Sequence, residues 1–285
     1  MQEYTIETIK SYKNKRASNY IPVRGDEIIT KIFECENYSI STKYDGHICF
    51  IISEKSNIEI VNYNGEPFER NELIEELSSL IKNSSAIFVG EIFHYKENER
   101  TRSFNLVKQV SNKESTIRIK IFDLISFGGK DFNYSDWIEK RKIIEKVFSN
   151  GVNVTSVEEL NVDSRKDIQN EYFQRVEKNN QEGLIVRGFN GPIFKIKPKI
   201  SIDCIVLGFV TGYTDDFSLL KELLIGVLLG ENEFLIIGKV SNGFSIEQRK
   251  NYTKLFSKMS VDSSIIEPSG SKIPFTFVRP EKVIE

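Results

Sequence analysis

The sequence predicts an α+β fold in two domains, and two observations carry that prediction. Up to residue 199, strand-like apolar segments alternate with amphipathic helical segments. Beyond residue 200, short apolar segments are separated by glycine-rich turns, which is typical of a small β-barrel. We therefore expect antiparallel sheets flanked by helices in residues 1–199, followed by a small barrel domain in residues 200–285.

The elements of the first domain follow from local periodicity and turn signals. Strands are expected at 38–43, 47–53, 57–65, 85–95, 116–127, 182–188 and 193–199, with a hairpin turn at 63–66. Helices are expected at 25–36, 71–83, 136–148 and 164–179. Ser135 or Asp136 is suited to cap the third of these helices, because both side chains accept hydrogen bonds from free backbone N–H groups.

The second domain is predicted to be mostly β-structure. Strands are expected at 203–213, 221–230 and 233–243, a helix at 245–259, and a closing segment at 274–285.

Length and composition limit the class of protein. The chain has 285 residues, enough for two domains, and 39% apolar with 28% charged residues is the composition of a soluble globular protein. No apolar run approaches a membrane span, and the N-terminus is too polar for a signal peptide. Three widely spaced cysteines form no disulfide or zinc pattern, which favours a reducing cytoplasm. The net charge of −2 neither favours nor excludes nucleic acid, because local lysine clusters are enough to hold phosphates.

Lys43 is the first candidate for chemistry. It opens the segment Lys-Tyr-Asp-Gly at 43–46, directly before an apolar strand. By itself this pattern is common, and it then predicts a hairpin with an exposed surface lysine. The alternative is a nucleophile at the edge of a cleft, and the decision depends on the residues that accompany it.

Two acids and two lysines support the nucleophile. Glu91 lies inside an apolar strand and Glu182 at the start of another, where a buried, unpaired carboxylate costs several kcal/mol. We expect both acids to line a cleft, as metal or ribose ligands. Lys195 and Lys197 are two residues apart, so both side chains leave the same face of a strand and suit a polyphosphate. Phe122, at the end of another strand, is either a core aromatic or a stacking platform.

Together these residues suit phosphoryl chemistry, which needs cations around the phosphate and a positioned nucleophile. The carboxylates are suited to hold Mg²⁺. A P-loop of the form GxxxxGK[ST] is absent from the sequence, so phosphate binding by that route is not expected.

The same segments resemble a known superfamily. The motifs KYDG at 43–46, FVGEIF at 88–93, IFDLI at 121–125, EGLIV at 182–186 and FKIKPK at 194–199 are similar, in order, to those of the covalent nucleotidyltransferases. That superfamily comprises ATP-dependent DNA ligases, RNA ligases and mRNA capping enzymes. Segments 203–212, 236–244 and 277–285 resemble the oligonucleotide-binding (OB) domain of ATP-dependent DNA ligases, which favours a DNA ligase.

The resemblance implies roles for individual residues. Lys43 would attack the α-phosphate of ATP to form lysyl-AMP, the AMP would pass to a 5′-phosphate at a nick, and a 3′-hydroxyl would displace it. Glu91 and Glu182 would serve the ribose and Mg²⁺ or Mn²⁺. Phe122 would stack on adenine, and the lysines at 195 and 197 would contact the α-phosphate. Asp45 would orient the loop around the nucleophile or assist the metal.

The sequence departs from the family pattern in three places. Ile48 stands where the family has an arginine two residues after the Asp-Gly, and Tyr63 replaces the arginine before Asn64-Gly65. The chain also ends at 285 without the Arg-x-Asp-Lys motif that closes the OB domain in the family. An RNA ligase or capping enzyme, and a non-catalytic nucleic-acid-binding module, therefore remain alternatives to a DNA ligase acting on nicked duplex DNA.

Overall fold

The computed structural model describes most of the 285-residue chain. The described residues are 7–12, 19–55, 57–97, 99–103, 106, 116–133, 136–188, 191–214, 217–231, 233–262 and 275–285. The chain divides into two compact units, residues 1–199 and 200–285.

The first unit contains a five-stranded sheet, sheet A. Its strands are β1 (Ile21–Arg24), β2 (Tyr38–Lys43), β9 (Glu159–Val162), β10 (Gly183–Gly188) and β11 (Ile193–Lys197). The order is β1-β11-β10-β2-β9, and only the β1–β11 pair is parallel. Sheet A thus brings the end of β2 beside the beginning of β10, although these segments are far apart in sequence.

A second sheet of the first unit, sheet B, is also mostly antiparallel. Its strands are β3 (His47–Glu54), β4 (Asn57–Val61), β5 (Ala86–His94), β6 (Ile117–Phe127), β7 (Lys130–Asp131) and β8 (Val154–Ser156). The order is β4-β3-β5-β6-β7, with β8 parallel to β6. A turn at 62–66 follows β4, and Gly65 adopts a positive φ of 86° there, as the Asn-Gly signal predicts.

Helices cover both sheets. They are α1 (Ile28–Lys31), α2 (Asn71–Ile81), α3 (Trp137–Val147), α4 (Arg165–Tyr172), which continues as a π-helix (Phe173–Lys178), and α5 (Ile246–Lys258) in the second unit. Asp136 caps α3 by accepting from Ile138 N, as predicted, and the alternative cap Ser135 lies outside the described residues. Ser164 caps α4 through a capping box with Asp167.

Buried apolar residues pack on defined faces of the sheets. On one face of sheet B, α2 and α3 bury Leu73, Leu77 and Ile144 against β-strand side chains such as Phe88. The opposite face of sheet B carries a smaller cluster that includes Phe50 and the helical residues 7–12. Sheet A packs one face against α4. The other face of sheet A, and the part of sheet B around Ile48, Glu91 and Phe122, line a cavity.

The second unit forms sheet C with a helix against it. Its strands are β12 (Cys204–Thr214), β13 (Phe217–Gly230), β14 (Glu233–Val240), β15 (Thr276–Phe277) and β16 (Val283–Ile284). The order is β14-β13-β12-β15, with β16 also on β12. Within the described residues β14 and β15 do not pair, so the expected barrel is seen there as an open sheet. Phe256 of α5 is fully buried in its core.

The predicted elements differ from the observed ones in the first 40 residues and between residues 130 and 162, where β7, β8 and β9 were not expected. The predicted helix at 25–36 ends earlier, because Ile32 adopts an extended conformation. The Tyr38 hydroxyl then donates to Phe33 O and accepts from Cys35 N, which holds the chain in a loop. Among the described residues, no helix combines the length and apolar character needed to cross a membrane.

Candidate active site

Lys43 occupies the last position of β2, and strand pairing fixes its neighbours. Lys43 is opposite Gly183 of β10, and Ser41 is opposite Ile185, which in turn is opposite Lys195 of β11. Side chains two residues apart leave the same face of a strand. Sheet A therefore presents these residues in rows on one face, with Lys43 at the end of an internal strand.

Glu182 connects the nucleophile candidate to one of the two predicted phosphate-binding lysines. Its Oε2 lies 2.7 Å from Lys43 Nζ, and its Oε1 lies 2.5 Å from Lys197 Nζ. Only 8% of the Glu182 side chain is exposed, against 24% for Lys43 and 49% for Lys197. One carboxylate thus offsets both positive charges and fixes the direction of the Lys43 side chain.

Two glycines permit the close packing around these residues. A Cβ on Gly183 would lie 2.2 Å from Ile196 O, and a Cβ on Gly46 would lie 2.3 Å from Ile92 O. Real Cβ atoms do not approach carbonyl oxygens this closely, so a side chain at either position would displace a strand. The glycines of Lys-Tyr-Asp-Gly and of Glu-Gly-Leu are therefore required by the packing of the backbone.

Glu91 is on β5 of sheet B and faces the same region. Its Oε1 accepts a hydrogen bond from Gly46 N at 3.1 Å. Burial raises the pKa of the Glu91 carboxyl to about 7; nearby Lys43 lowers it, and the negative charges of Glu182 and Asp45 add to the rise. A carboxyl with a pKa near neutrality changes its charge in the physiological range, as groups at functional sites often do.

A cavity of about 320 Å³ lies beside Lys43, with walls from both sheets of the first unit. Its lining residues are Tyr20, Ser41, Thr42, Lys43, Tyr44, Ile48, Glu91, Phe122, Val157, Ile185, Arg187 and Lys195. Charged groups and apolar side chains are therefore both present. This combination of apolar walls and a few polar groups is common in small-molecule sites.

Tyr44 is held between the two sheets of the site. Its ring stacks on Phe93 with centroids 5.2 Å apart, and its hydroxyl donates to Glu158 Oε2 at 3.0 Å. Lys120 forms an ion pair with the other oxygen of Glu158 and lies over the Tyr44 ring. Burial raises the pKa of the Tyr44 hydroxyl. These contacts fix the chain directly after Lys43.

Asp45 holds the loop mainly through its backbone, and its N–H donates to Thr101 Oγ1 at 3.1 Å. Within the described residues, no group of three or more His, Cys, Asp or Glu side chains is arranged to hold a metal. Glu91 and Glu182 are nevertheless close enough for Glu182 to raise the pKa of Glu91. A divalent cation would relieve this repulsion, and Mg²⁺ is commonly bound by one or two carboxylates together with substrate phosphates.

The structure brings the predicted site residues into one region. Lys43, Glu91, Phe122 and Lys195 line the cavity, and Glu182 and Lys197 are joined to it through ion pairs. Their individual roles stay predictions.

Sequence reasoning assigned no role to several other residues of the cavity. They are Tyr20, Tyr44 and Arg187 in the cavity wall, with Lys120 and Glu158 behind Tyr44. Arg187 lies near the end of β10, and its position in the cavity follows from strand register, which the sequence pattern does not determine.

Comparison with known proteins identifies the family. The model of the ATP-dependent DNA ligase domain matches residues 23–197, which is more than half of the chain. The chain belongs to the ATP-dependent DNA ligase domain family, which confirms the resemblance seen in the sequence.

Curated relatives are distant in sequence. A probable DNA ligase of Dictyoglomus turgidum is 22% identical over 290 residues, which cover 91% of this chain and 49% of that protein. A DNA ligase of Sulfolobus acidocaldarius is 23% identical over an alignment of 320 positions, which covers 100% of this chain and 53% of that protein. The chain thus spans about half the length of the curated relatives it matches.

Three experimental structures illustrate the similarity of fold. Pmar-Lig_Pre gives a TM-score of 0.63 at 18% identity over 95% of this chain and 70% of that one. A structure from work on Lig E DNA ligases gives a TM-score of 0.55 at 15% identity, and the match covers 81% of this chain and 87% of that one. Mycobacterial DNA ligase D complexed with ATP and MES gives a TM-score of 0.50 at 15% identity, and the match covers 93% of this chain and 87% of that one. These similarities confirm the predicted α+β fold.

Proposed function

We propose that this protein is an ATP-dependent DNA ligase that seals nicks through a lysyl-AMP intermediate on Lys43. The observation that carries the proposal is the contact of the buried Glu182 carboxylate with Lys43 and Lys197, beside a cavity with apolar and cationic walls. The family membership of residues 23–197 supports the same reaction class.

In the first step the lone pair of Lys43 Nζ attacks the α-phosphorus of ATP. A P–N bond forms, the bond from the α-phosphorus to the bridging oxygen breaks, and pyrophosphate leaves. Nζ must lose one of its three protons before this attack, because the lone pair of the neutral amine is the nucleophile. Glu182 lies 2.7 Å away and is placed to accept a proton as the phosphate takes over the contact with Lys197.

The remaining residues bind and orient the nucleotide. Lys195 and Lys197 supply positive charge for the α-phosphate, and their position on one strand keeps that charge fixed during the reaction. Phe122 and Ile185 offer apolar surface to the base. Glu91 and Glu182 would hold Mg²⁺ or Mn²⁺, which supplies charge neutralisation on the phosphates.

In the second and third steps AMP passes to a 5′-phosphate and a 3′-hydroxyl then displaces it. We assign residues 1–199 to adenylation and residues 200–285 to an OB domain that contacts nucleic acid. The preferred substrate is nicked duplex DNA, and an RNA ligase is the second candidate, since Ile48 and Tyr63 replace arginines of the DNA ligase pattern. Cys35, Cys49 and Cys204 are free thiols, which suits the cytoplasmic location we propose.

The test compares end joining on matched substrates. Nicked DNA duplexes, nicked RNA–DNA hybrids and single-stranded RNA, each with a labelled 5′-phosphate, are incubated with ATP and Mg²⁺. We expect the label to become resistant to phosphatase on nicked DNA, and Lys43→Arg to abolish this. Sealing of RNA ends alone would replace the DNA ligase assignment with the RNA ligase.

A further inference from the structure

The helical segment at residues 7–12 lies against the wall of the proposed nucleotide cavity. Its side chains Ile9 and Tyr12 are 0% and 3% exposed, and they belong to the apolar cluster on the face of sheet B opposite α2 and α3. Two residues of the cavity wall, Ile48 and Phe122, pack against the same cluster. Among the described residues that line the cavity, neither Ile9 nor Tyr12 is present. The segment therefore supports the wall from outside the cavity.

The carboxylate of Asp123 ties this segment to β6. Tyr12 Oη donates to Asp123 Oδ2 at 2.6 Å, and Lys140 Nζ donates to Asp123 Oδ1 at 2.8 Å. Leu124 N also donates to Asp123 Oδ1 at 2.8 Å. Asp123 is 7% exposed, and hydrogen bonds to a buried carboxylate are short and strong. Tyr12 is thus held to the residue that directly follows Phe122 in the chain.

A β-bulge makes the position of Phe122 depend on Asp123. Asp123 is opposite Val89 of β5, and Ile121 is opposite Gly90, so β6 has one extra residue, Phe122, between these two pairs. The extra residue of a bulge has no partner in the strand ladder, and a bulge next to a functional site changes the direction of a side chain. Since strand pairing does not fix Phe122, we expect the contacts of Asp123 to determine where it lies.

Tyr20 gives Tyr12 a second contact with the cavity wall. The Tyr20 side chain lines the cavity, and its hydroxyl is hydrogen-bonded to Tyr12 and to Arg187. Because Tyr12 donates its one hydroxyl proton to Asp123, its oxygen accepts from Tyr20. Tyr20 in turn accepts from the guanidinium of Arg187, which has donors only. The Tyr12 hydroxyl therefore joins two parts of the wall, Tyr20 directly and Phe122 through Asp123.

We propose that Tyr12 is a positioning residue of the nucleotide site, whose hydroxyl holds both parts of the cavity wall in the conformation that binds ATP. The inference rests on the proposed function and adds a residue outside the matched family domain, which covers residues 23–197. Without the hydroxyl, the wall adopts the binding conformation for a smaller fraction of the time, and the apparent affinity for ATP falls by that fraction. Lys43 and Glu182 keep their contact, so the rate at saturating ATP does not change.

The experiment compares wild type, Tyr12→Phe and Ile9→Val. Tyr12→Phe removes the hydroxyl and keeps the ring, which packs edge-to-face on Phe50 with centroids 5.7 Å apart. Ile9→Val is the matched control, because it removes a buried methylene from the same helical segment and leaves the hydroxyl of Tyr12 in place. The rate of protein–AMP formation, measured by intact mass over a range of ATP concentrations, gives the half-saturating ATP concentration and the maximal rate. Thermal unfolding of each variant checks that it is folded.

We expect Tyr12→Phe to raise the half-saturating ATP concentration by up to about tenfold at an unchanged maximal rate, since one hydrogen bond to a charged group is worth about that factor. Ile9→Val should unfold at a lower temperature and keep the half-saturating concentration of wild type. An unchanged half-saturating concentration in Tyr12→Phe would overturn the inference, as would an equal rise in Ile9→Val or a fall in the maximal rate of Tyr12→Phe alone. If wild type forms no adduct with ATP, the proposed function itself is wrong.

Discussion

Lys43 and Glu182 are 139 residues apart in sequence, and their side chains meet at 2.7 Å where β2 ends beside the start of β10. The contact exists because β2 and β10 pair antiparallel with Lys43 opposite Gly183. Glu182 is also the partner of Lys197, so its carboxylate determines the electrostatics around the reacting nitrogen.

Replacing Glu182 by Gln should lower the rate of protein–AMP formation by about 10²-fold or more, because an amide cannot accept the proton of Lys43 Nζ, and a positioned proton acceptor contributes about that much. The neutral amide removes the ion pairs with Lys43 and Lys197 while keeping the shape of the side chain. Single-turnover label transfer from ATP measures the effect. Glu34→Gln, which breaks the exposed ion pair with Arg165, should react like wild type. A wild-type rate for Glu182→Gln would contradict this role.

Glu91 should make the stability of the nucleotide-free protein depend on pH. Its pKa rises from 4.5 to about 7 on folding, so the folded state binds the proton more tightly than the unfolded state. The stabilisation by the neutral form is fully present below about pH 4.5 and is lost as the pH rises through about 7. Denaturant unfolding of wild type and Glu91→Gln at several pH values measures it.

The informative quantity is the difference in the free energy of unfolding between wild type and Glu91→Gln at each pH. From pH 5 to pH 8, Glu91→Gln should gain stability relative to wild type, by at most about 3 kcal/mol at about 1.4 kcal/mol per pKa unit. Parallel stability curves for the two proteins would show that Glu91 titrates normally.

Gly183→Ala should destabilise the first unit and slow adenylation, because its Cβ would lie 2.2 Å from Ile196 O. Either β10 or β11 must move, and Glu182 moves with it. Gly238→Ala in β14 is the matched control, since a Cβ there meets nothing within 4 Å. Thermal unfolding and label transfer should both be impaired in the first variant and normal in the second. Equal behaviour of the two would argue against this packing constraint.

The buried pair of Lys140 and Asp123 should contribute far more to stability than an exposed pair. Lys140 Nζ lies 2.8 Å from Asp123 Oδ1, and both side chains are at most 10% exposed. Although burial raises the pKa of Asp123, Lys140 and the hydrogen bond from Tyr12 bring it below its ordinary value. Lys140→Met removes the buried cation that compensates the charge of the Asp123 carboxylate, which costs about 3–5 kcal/mol in the free energy of unfolding.

Lys130→Met is the control for that prediction. It breaks the pair with Glu139, whose partners are 59% and 46% exposed, and should cost no more than about 1 kcal/mol. Urea unfolding measures the loss in the free energy of unfolding. Similar losses in Lys140→Met and Lys130→Met would show that burial does not determine how much an ion pair contributes to stability.

Most long elements could be predicted from the sequence because their own side chains specify them. Helix α2 carries its buried residues at Leu73, Leu77 and Ile81, a helical spacing, and β6 alternates through Ile117, Ile119 and Ile121. The short strands β1, β8 and β9 were not predicted. Each is defined by a partner strand distant in sequence, and a few residues carry too little periodicity to reveal that pairing.

The candidate site was predictable in its residue types and much less in its contacts. The sequence shows the acids inside apolar strands and the paired lysines, and these motifs occur in the same order as in the family that the chain resembles. The sharing of Glu182 between two lysines depends on the register of β2, β10 and β11, which local patterns do not determine. Arg187 went unassigned for the same reason, since its position in the cavity follows from that register.

The most direct test of the account is to identify the residue that carries AMP. The protein is incubated with α-labelled ATP and Mg²⁺, denatured, digested, and the labelled peptide is sequenced by mass spectrometry. We predict one acid-labile, base-stable phosphoramidate on Lys43, absent in Lys43→Arg. Label on another residue, an adduct that persists in Lys43→Arg, or no adduct at all in wild type would contradict the account.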